Sequence, residues 1–169
     1  TKYANPATLP APFPTDIEFT PSGNAVVFST SGTPYVGAYP WSAGFGTKYA
    51  NPATLATGDA FGISINPSGN AVAIPSATTP FIIAYPWSPG FGTKYADPAT
   101  SPGSYSVGVA FSPSGNHIAV THTGTPFIST YPWSSGFGTK YADPATLPAS
   151  IGFDVAFNPT GTAIGVVHN

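Results

Sequence analysis

The stretch Val107-Gly108-Val109-Ala110-Phe111-Ser112-Pro113-Ser114-Gly115-Asn116-His117-Ile118-Ala119-Val120-Thr121 decides the fold. Val107, Val109 and Phe111 alternate with small residues, the period of two of a half-buried strand. Pro113 presets φ and Gly115 accepts a positive one, so Pro113-Ser114-Gly115-Asn116 reads as a tight hairpin connection. Residues 117–121 form the returning strand and 126–131 a third. A glycine-rich corner, Pro132-Trp133-Ser134-Ser135-Gly136-Phe137-Gly138, leads into a short outer strand, Thr139-Lys140-Tyr141-Ala142, ended by Asp143-Pro144. No segment carries a helical apolar period, and proline interrupts every candidate. The fold class is all-β.

The pattern repeats. Thr1-Lys2-Tyr3-Ala4-Asn5-Pro6-Ala7-Thr8 returns at Thr47, Thr93 and Thr139, a period of 46 residues. The chain therefore divides as a single array of copies at 1–46, 47–92, 93–138 and a truncated 139–169 that stops after its second strand. Four strands in a unit of this length are the signature of a β-propeller blade. Fifteen strands are expected, with an incomplete fourth blade. That count leads to the expectation of either a segment of a longer propeller or a homo-oligomer that completes a ring.

Val109-Ala110-Phe111-Ser112-Pro113-Ser114-Gly115-Asn116, with Val155-Ala156-Phe157-Asn158-Pro159-Thr160-Gly161 in the fourth copy, resembles the V-x-F-S-P-D-G segment of WD40 and YVTN-type propellers. Tyr131-Pro132-Trp133-Ser134 falls where those blades carry the Trp-Asp that closes the third strand. Serine stands in place of that aspartate and there is no Gly-His dipeptide, so the chain is WD40-like and lacks the family's Asp-His-Ser-Trp network. The resemblance implies four-stranded antiparallel blades, a rigid binding scaffold and a tryptophan packed between neighbouring blades. Near-identical tandem copies also resemble those of some phage and bacterial propellers.

Composition narrows the function. Four basic and six acidic residues leave a net charge of −2, which excludes nucleic-acid binding by phosphate neutralisation. The 19 glycines and 21 prolines are turn residues copied with the repeat. Cysteine is absent, so there is no disulfide, thiolate metal site or cysteine nucleophile. No apolar run is long enough to span a membrane. A charge-poor chain rich in Gly, Pro, Ser, Thr and Tyr suits an extracellular, cell-surface or virion setting better than the cytoplasm.

Comparison of the copies locates the candidate sites. The Pro-Ser-Gly-Asn turns and the Tyr-Pro-Trp-Ser corners barely change. The connections at 10–16 and 29–32, and their counterparts in later copies, change heavily and are expected to share one face. Loops on a rigid scaffold carry function, so Phe13, Asp16, Asp59, Phe61, Tyr105, His122, Asp154 and His168 are the candidate contacts for a protein partner or glycan. A bland alternative is that these loops drift because nothing constrains them. An alternative lectin reading stacks one sugar per blade on Trp41, Trp87 or Trp133; the competing reading packs those rings between blades. The four lysines, Lys2, Lys48, Lys94 and Lys140, fall at one phase of the outer strand, where an edge lysine discourages sheet-to-sheet aggregation.

Catalysis finds little support. His122 and His168 share a phase on adjacent blades, with Asp154 as the one plausible third ligand, but solvated loop histidines are the better reading of them. Dispersed acids, two of them in Asp-Pro turns, do not form the carboxylate pair of a glycosidase. No catalytic residue, metal ligand set or cofactor is therefore expected, and hydrolysis is the remote alternative to a scaffold.

Overall fold

The structure is a computed structural model that describes residues 2–169, all of them in strands, turns or extended segments. Blade 1 consists of β1 (Pro14–Phe19), β2 (Ala25–Thr30) and β3 (Val36–Pro40). Blade 2 consists of β4 (Ser64–Ile65), β5 (Ala71–Pro75) and β6 (Ile82–Pro86). Blade 3 contains β7 (Ser106–Phe111), β8 (His117–His122) and β9 (Ile128–Pro132). Blade 4 contains β10 (Gly152–Phe157) and β11 (Ile164–His168). Each blade is an antiparallel meander in sequence order.

The expected outer strand is not a strand. It is an extended segment held to the third strand by one backbone hydrogen bond. Tyr49, Tyr95 and Tyr141 N–H donate to the carbonyls of Ala38, Ala84 and Thr130, each at 2.9 Å. The proline three residues after each tyrosine has no N–H to extend the ladder, and the chain crosses there to the next blade. The inner strand of blade 2 is also short. Its upstream amides are drawn to blade 1, with Ala60 N–H donating to the Thr30 carbonyl at 3.2 Å and Ile63 N–H to an Asp16 carboxylate oxygen at 3.0 Å.

The hairpin turns form as their chemistry requires. Gly23 N–H donates to the Thr20 carbonyl at 2.7 Å with Gly23 at φ 69°, and Gly69, Gly115 and Gly161 repeat this at 68°, 73° and 71°. Side chains with a Cβ rarely adopt that backbone conformation.

Blade faces are unequal. Blade 2 turns Val72, Ile74, Ile83, Tyr85 and Trp87 toward blade 1, and Ala71, Ala73, Ile82 and Ala84 toward blade 3. Blade 3 answers with Ile118, Val120, Tyr131 and Trp133. The blade 2–3 interface thus seats a bulky face on an alanine-rich one, and blade 1 meets blade 2 with Ala25, Val27, Val36 and Ala38, small side chains that let the blades stack closely. The buried tyrosines also tie down the loops that cross between blades. Tyr39, Tyr85 and Tyr131 hydroxyls donate to the carbonyls of Thr8, Thr54 and Thr100 at 2.6, 2.8 and 2.9 Å. Tyr131→Phe leaves the Thr100 carbonyl short of its donor, and urea unfolding is expected to show a loss of about 1–2 kcal/mol.

Inner strands meet in two ways. Where glycine occupies the upstream bulge, the strands touch: a Cβ on Gly108 would lie 2.8 Å from the Asp154 Cα, and one on Gly62 would lie 2.8 Å from the Val107 carbonyl oxygen. Gly108→Ala therefore forces backbone apart, and is expected to cost about 1–3 kcal/mol in chemical denaturation. Blade 1 carries Asp16 at that phase and bridges its seam with side chains instead.

Candidate functional site

The variable connections do gather on one face. Ser31, Ala77 and Thr123 N–H groups donate to the Phe13, Asp59 and Tyr105 carbonyls at 3.0, 2.9 and 2.9 Å, joining the loop before the inner strand to the loop after the second strand in blades 1 to 3. Hydroxyls add further ties, Thr78 to Thr57 at 2.9 Å and Ser104 with Thr123 at 3.1 Å. These bonds use main-chain atoms and small side chains, leaving the large variable side chains free to differ.

Three of the candidates converge at the seam of blades 2 and 3. The Phe61 and Tyr105 rings lie 5.4 Å apart at a tilt of 48°, both half-buried. Burial raises the Tyr105 phenol above its ordinary pKa, and the charge of Asp59 raises it further. Phe13 stands 75% exposed on the corresponding loop of blade 1, at φ 56°. Asp154 and His168 are exposed at the far end, on blade 4, and do not join this cluster.

Two candidates are held by polar contacts, His122 in the interior and Asp16 at the exposed edge of a seam. His122 is fully buried, where solvated loop histidines were expected. Its Nε2 is 3.0 Å from the Ser129 hydroxyl, its Nδ1 has no hydrogen-bond partner, and burial lowers its pKa. The equivalent Thr30 hydroxyl donates to the Gly32 carbonyl at 2.6 Å and the Ser76 hydroxyl accepts from Thr78 N–H at 3.3 Å, so histidine here replaces a hydroxyl at a packed position. Asp16 faces its neighbouring blade, accepting from Ile17 N–H at 2.8 Å and Ile63 N–H at 3.0 Å.

The tryptophans pack against other aromatic rings. Trp87 and Trp133 are each 5% exposed and Trp41 is half-buried. Trp133 is met edge-on by Tyr95, Phe111 and Phe137 at 5.2, 5.1 and 5.1 Å, and Trp87 by Tyr49 and Phe91 at 5.5 and 5.1 Å. Trp87 and Trp133 are thus enclosed, and Trp41 less so. Lys94 and Lys140 pair with Asp97 and Asp143, and Lys48 donates to Asn51, on the outer segments.

Sequence reading passed over Glu18. Its carboxylate accepts from Ile65 N–H of the next inner strand at 2.8 Å, the contact that the Ser64 hydroxyl makes with Phe111 N–H at 3.1 Å one seam later. Burial, reinforced by the nearby Asp16 charge and opposed by the Ile65 N–H, pushes the Glu18 carboxyl up to about 7. The available signal was phase: the equivalents are Ser64, Ala110 and Ala156, all small. Among the described residues no group of three or more His, Asp or Glu is placed to hold a metal ion, and no helix is long and apolar enough to cross a membrane.

No protein-family model matches the sequence, and no curated protein matches it. Solved structures do. The chain is similar to hydrazine synthase of Kuenenia stuttgartiensis, with a TM-score of 0.73 and 13% identity over 94% of this chain and 42% of that one. It is also similar to U3-55K, with a TM-score of 0.63 and 11% identity over 85% and 42% of the two chains. The WD40 repeats of RRP9 give 0.64 and 11% over 85% and 41%. The fold is therefore an all-β, WD40-type propeller architecture, and the chain spans about two-fifths of the length of these structures.

Proposed function

We propose that the chain is a non-enzymatic propeller scaffold that binds a protein partner through the loop face of blades 1 to 3. The observation that carries this reading is the Asp59, Phe61 and Tyr105 cluster, two aromatic rings and an acid set across a blade seam on a hydrogen-bonded loop framework. Aromatic side chains at the centre of a rigid surface are the usual anchors of protein recognition. Asp16 and Glu18, the two acids closest in sequence, are engaged with amides of the next blade, which argues against a hydrolytic carboxylate pair. Composition and the near-identity of the copies support an extracellular, cell-surface or virion component, of phage or bacterial origin, whose blades belong to a larger ring.

The test pairs capture with two controls. Cross-linking of the intact chain in an extract of its source is expected to yield a protein partner that the Phe13→Ser/Tyr105→Ser double variant loses, at unchanged melting temperature. A glycan array signal removed by Tyr105→Ser would replace this reading with a lectin. Turnover of ester, glycoside or phosphoester substrates would overturn the non-enzymatic assignment.

A further inference from the structure

At one phase of the repeat the copies carry Phe13, Asp59, Tyr105 and Ile151. In blades 1 to 3 this residue holds one structural position, its carbonyl accepting an N–H from the loop after the second strand, that of Ser31, Ala77 or Thr123. An acid on blade 2 thus stands between aromatic residues on the two flanking blades. The main chain also closes the seam to blade 3 here. Ser106 N–H donates to the Ser76 carbonyl at 3.2 Å, one residue from the Ala77 amide that bonds Asp59. Tyr105 and Phe61, their rings 5.4 Å apart, are carried beside the Asp59 carboxylate, whose charge the phenol feels.

Charge is sorted on this scaffold. All four lysines lie on the outer segments, where Lys94 and Lys140 pair with Asp97 and Asp143. The other acids, Asp16, Glu18, Asp59 and Asp154, belong to inner strands or to the loops leading into them, with no lysine among them. Asp16, Glu18 and Asp154 each accept from a backbone amide, those of Ile63, Ile65 and Val155. Asp59 belongs to neither of the two ion pairs found among the described residues. A half-buried carboxylate beside two rings, in a field without lysine, is complementary to a cation that also stacks on aromatic faces.

We propose that this seam receives an arginine side chain of the protein partner, its guanidinium laid against the Tyr105 and Phe61 rings and paired with the Asp59 carboxylate. Arginine fits better than lysine, because its planar fork stacks on rings and meets a carboxylate through two N–H donors. The inference rests on the loop-face reading and names the chemistry which that face recognises.

The probe is the peptide acetyl-Gly-Ser-Gly-Arg-Gly-Ser-Gly-amide, titrated into the intact, isotope-labelled chain and followed by amide chemical shifts. Saturable shifts are expected at residues 59–62 and 104–106, with half-saturation at roughly 1 mM. The same peptide with citrulline, which keeps the shape and removes the charge, is expected not to saturate. Asp59→Asn is expected to weaken binding of the arginine peptide about 5-fold at unchanged melting temperature, and Asp154→Asn to leave it unchanged. Equal binding of the citrulline peptide, undiminished binding by Asp59→Asn, or shifts confined to another face would overturn the inference. If the Phe13→Ser/Tyr105→Ser variant still loses its cross-linked partner, the loop-face reading survives that failure. If that variant captures the partner normally, the loop-face reading falls and this inference falls with it.

Discussion

Trp133→Ala is expected to lower the free energy of unfolding by about 3–5 kcal/mol, the cost of emptying a buried aromatic site that cannot collapse. Trp133 is 5% exposed and touches three rings at 5.1–5.2 Å. One of these, Tyr95, belongs to the segment bonded to β6 in blade 2, so the indole fastens blade 3 to blade 2. Stacked repeats are stabilised mainly by such neighbour interfaces, so loss of this one is also expected to split unfolding into two steps. Trp41→Ala provides the internal comparison. Trp41 is half-buried, and its partner Tyr3 is 53% exposed. Its loss is expected to cost about half as much. Urea denaturation followed by circular dichroism measures both; equal costs at the two positions would sink the argument.

Glu18→Gln is expected to stabilise the protein at pH 8 and to change nothing at pH 4. The Glu18 carboxyl moves from 4.5 to about 7 on folding, chiefly through burial. Its folded state therefore holds a proton that the unfolded chain releases. The associated stability is fully present below 4.5 and is lost as pH rises through 7. The group keeps some solvent access, so the gain from glutamine at pH 8 is set at roughly 1–2 kcal/mol, below the full value of the shift. Glutamine retains an oxygen to accept from Ile65 N–H. His122 acts in the opposite sense: burial lowers its pKa from 6.5, so the stability tied to its neutral ring is present above 6.5 and lost as pH falls. His122→Thr, which restores the residue type of Thr30, is expected to flatten only the acid limb. Thermal melts of the three proteins from pH 4 to 8 check this, and a Glu18→Gln offset independent of pH would refute the linkage.

Periodicity made the blade legible. The alternation around Phe111, the Pro-Ser-Gly-Asn turn and its return every 46 residues located the three core strands of a blade, because each signal is local and repeated. The outer strand was overread. Lys-Tyr-Ala looks like a strand in isolation, but only one of its amides meets a carbonyl before proline carries the chain away. The loop face was also legible, since antiparallel connections alternate between ends. Which of its residues meet was not: Phe61 and Tyr105 lie in different copies, and their 5.4 Å approach depends on how blade 3 stacks on blade 2. His122 shows the same limit, because hydroxyls at its phase in blades 1 and 2 give no sign that an imidazole would be enclosed.

The sequence by itself determined the all-β class, the blade period, the turn geometry and the invariant Tyr-Pro-Trp corner. Each is encoded within one repeat, by φ preferences and by an apolar period of two. Only the tertiary structure decided that Trp87 and Trp133 are enclosed by neighbouring rings and that Glu18 and Asp16 bridge a seam. Those properties belong to the surfaces between blades. A residue there is defined by what a different copy brings within a few ångströms, which one-dimensional spacing does not specify.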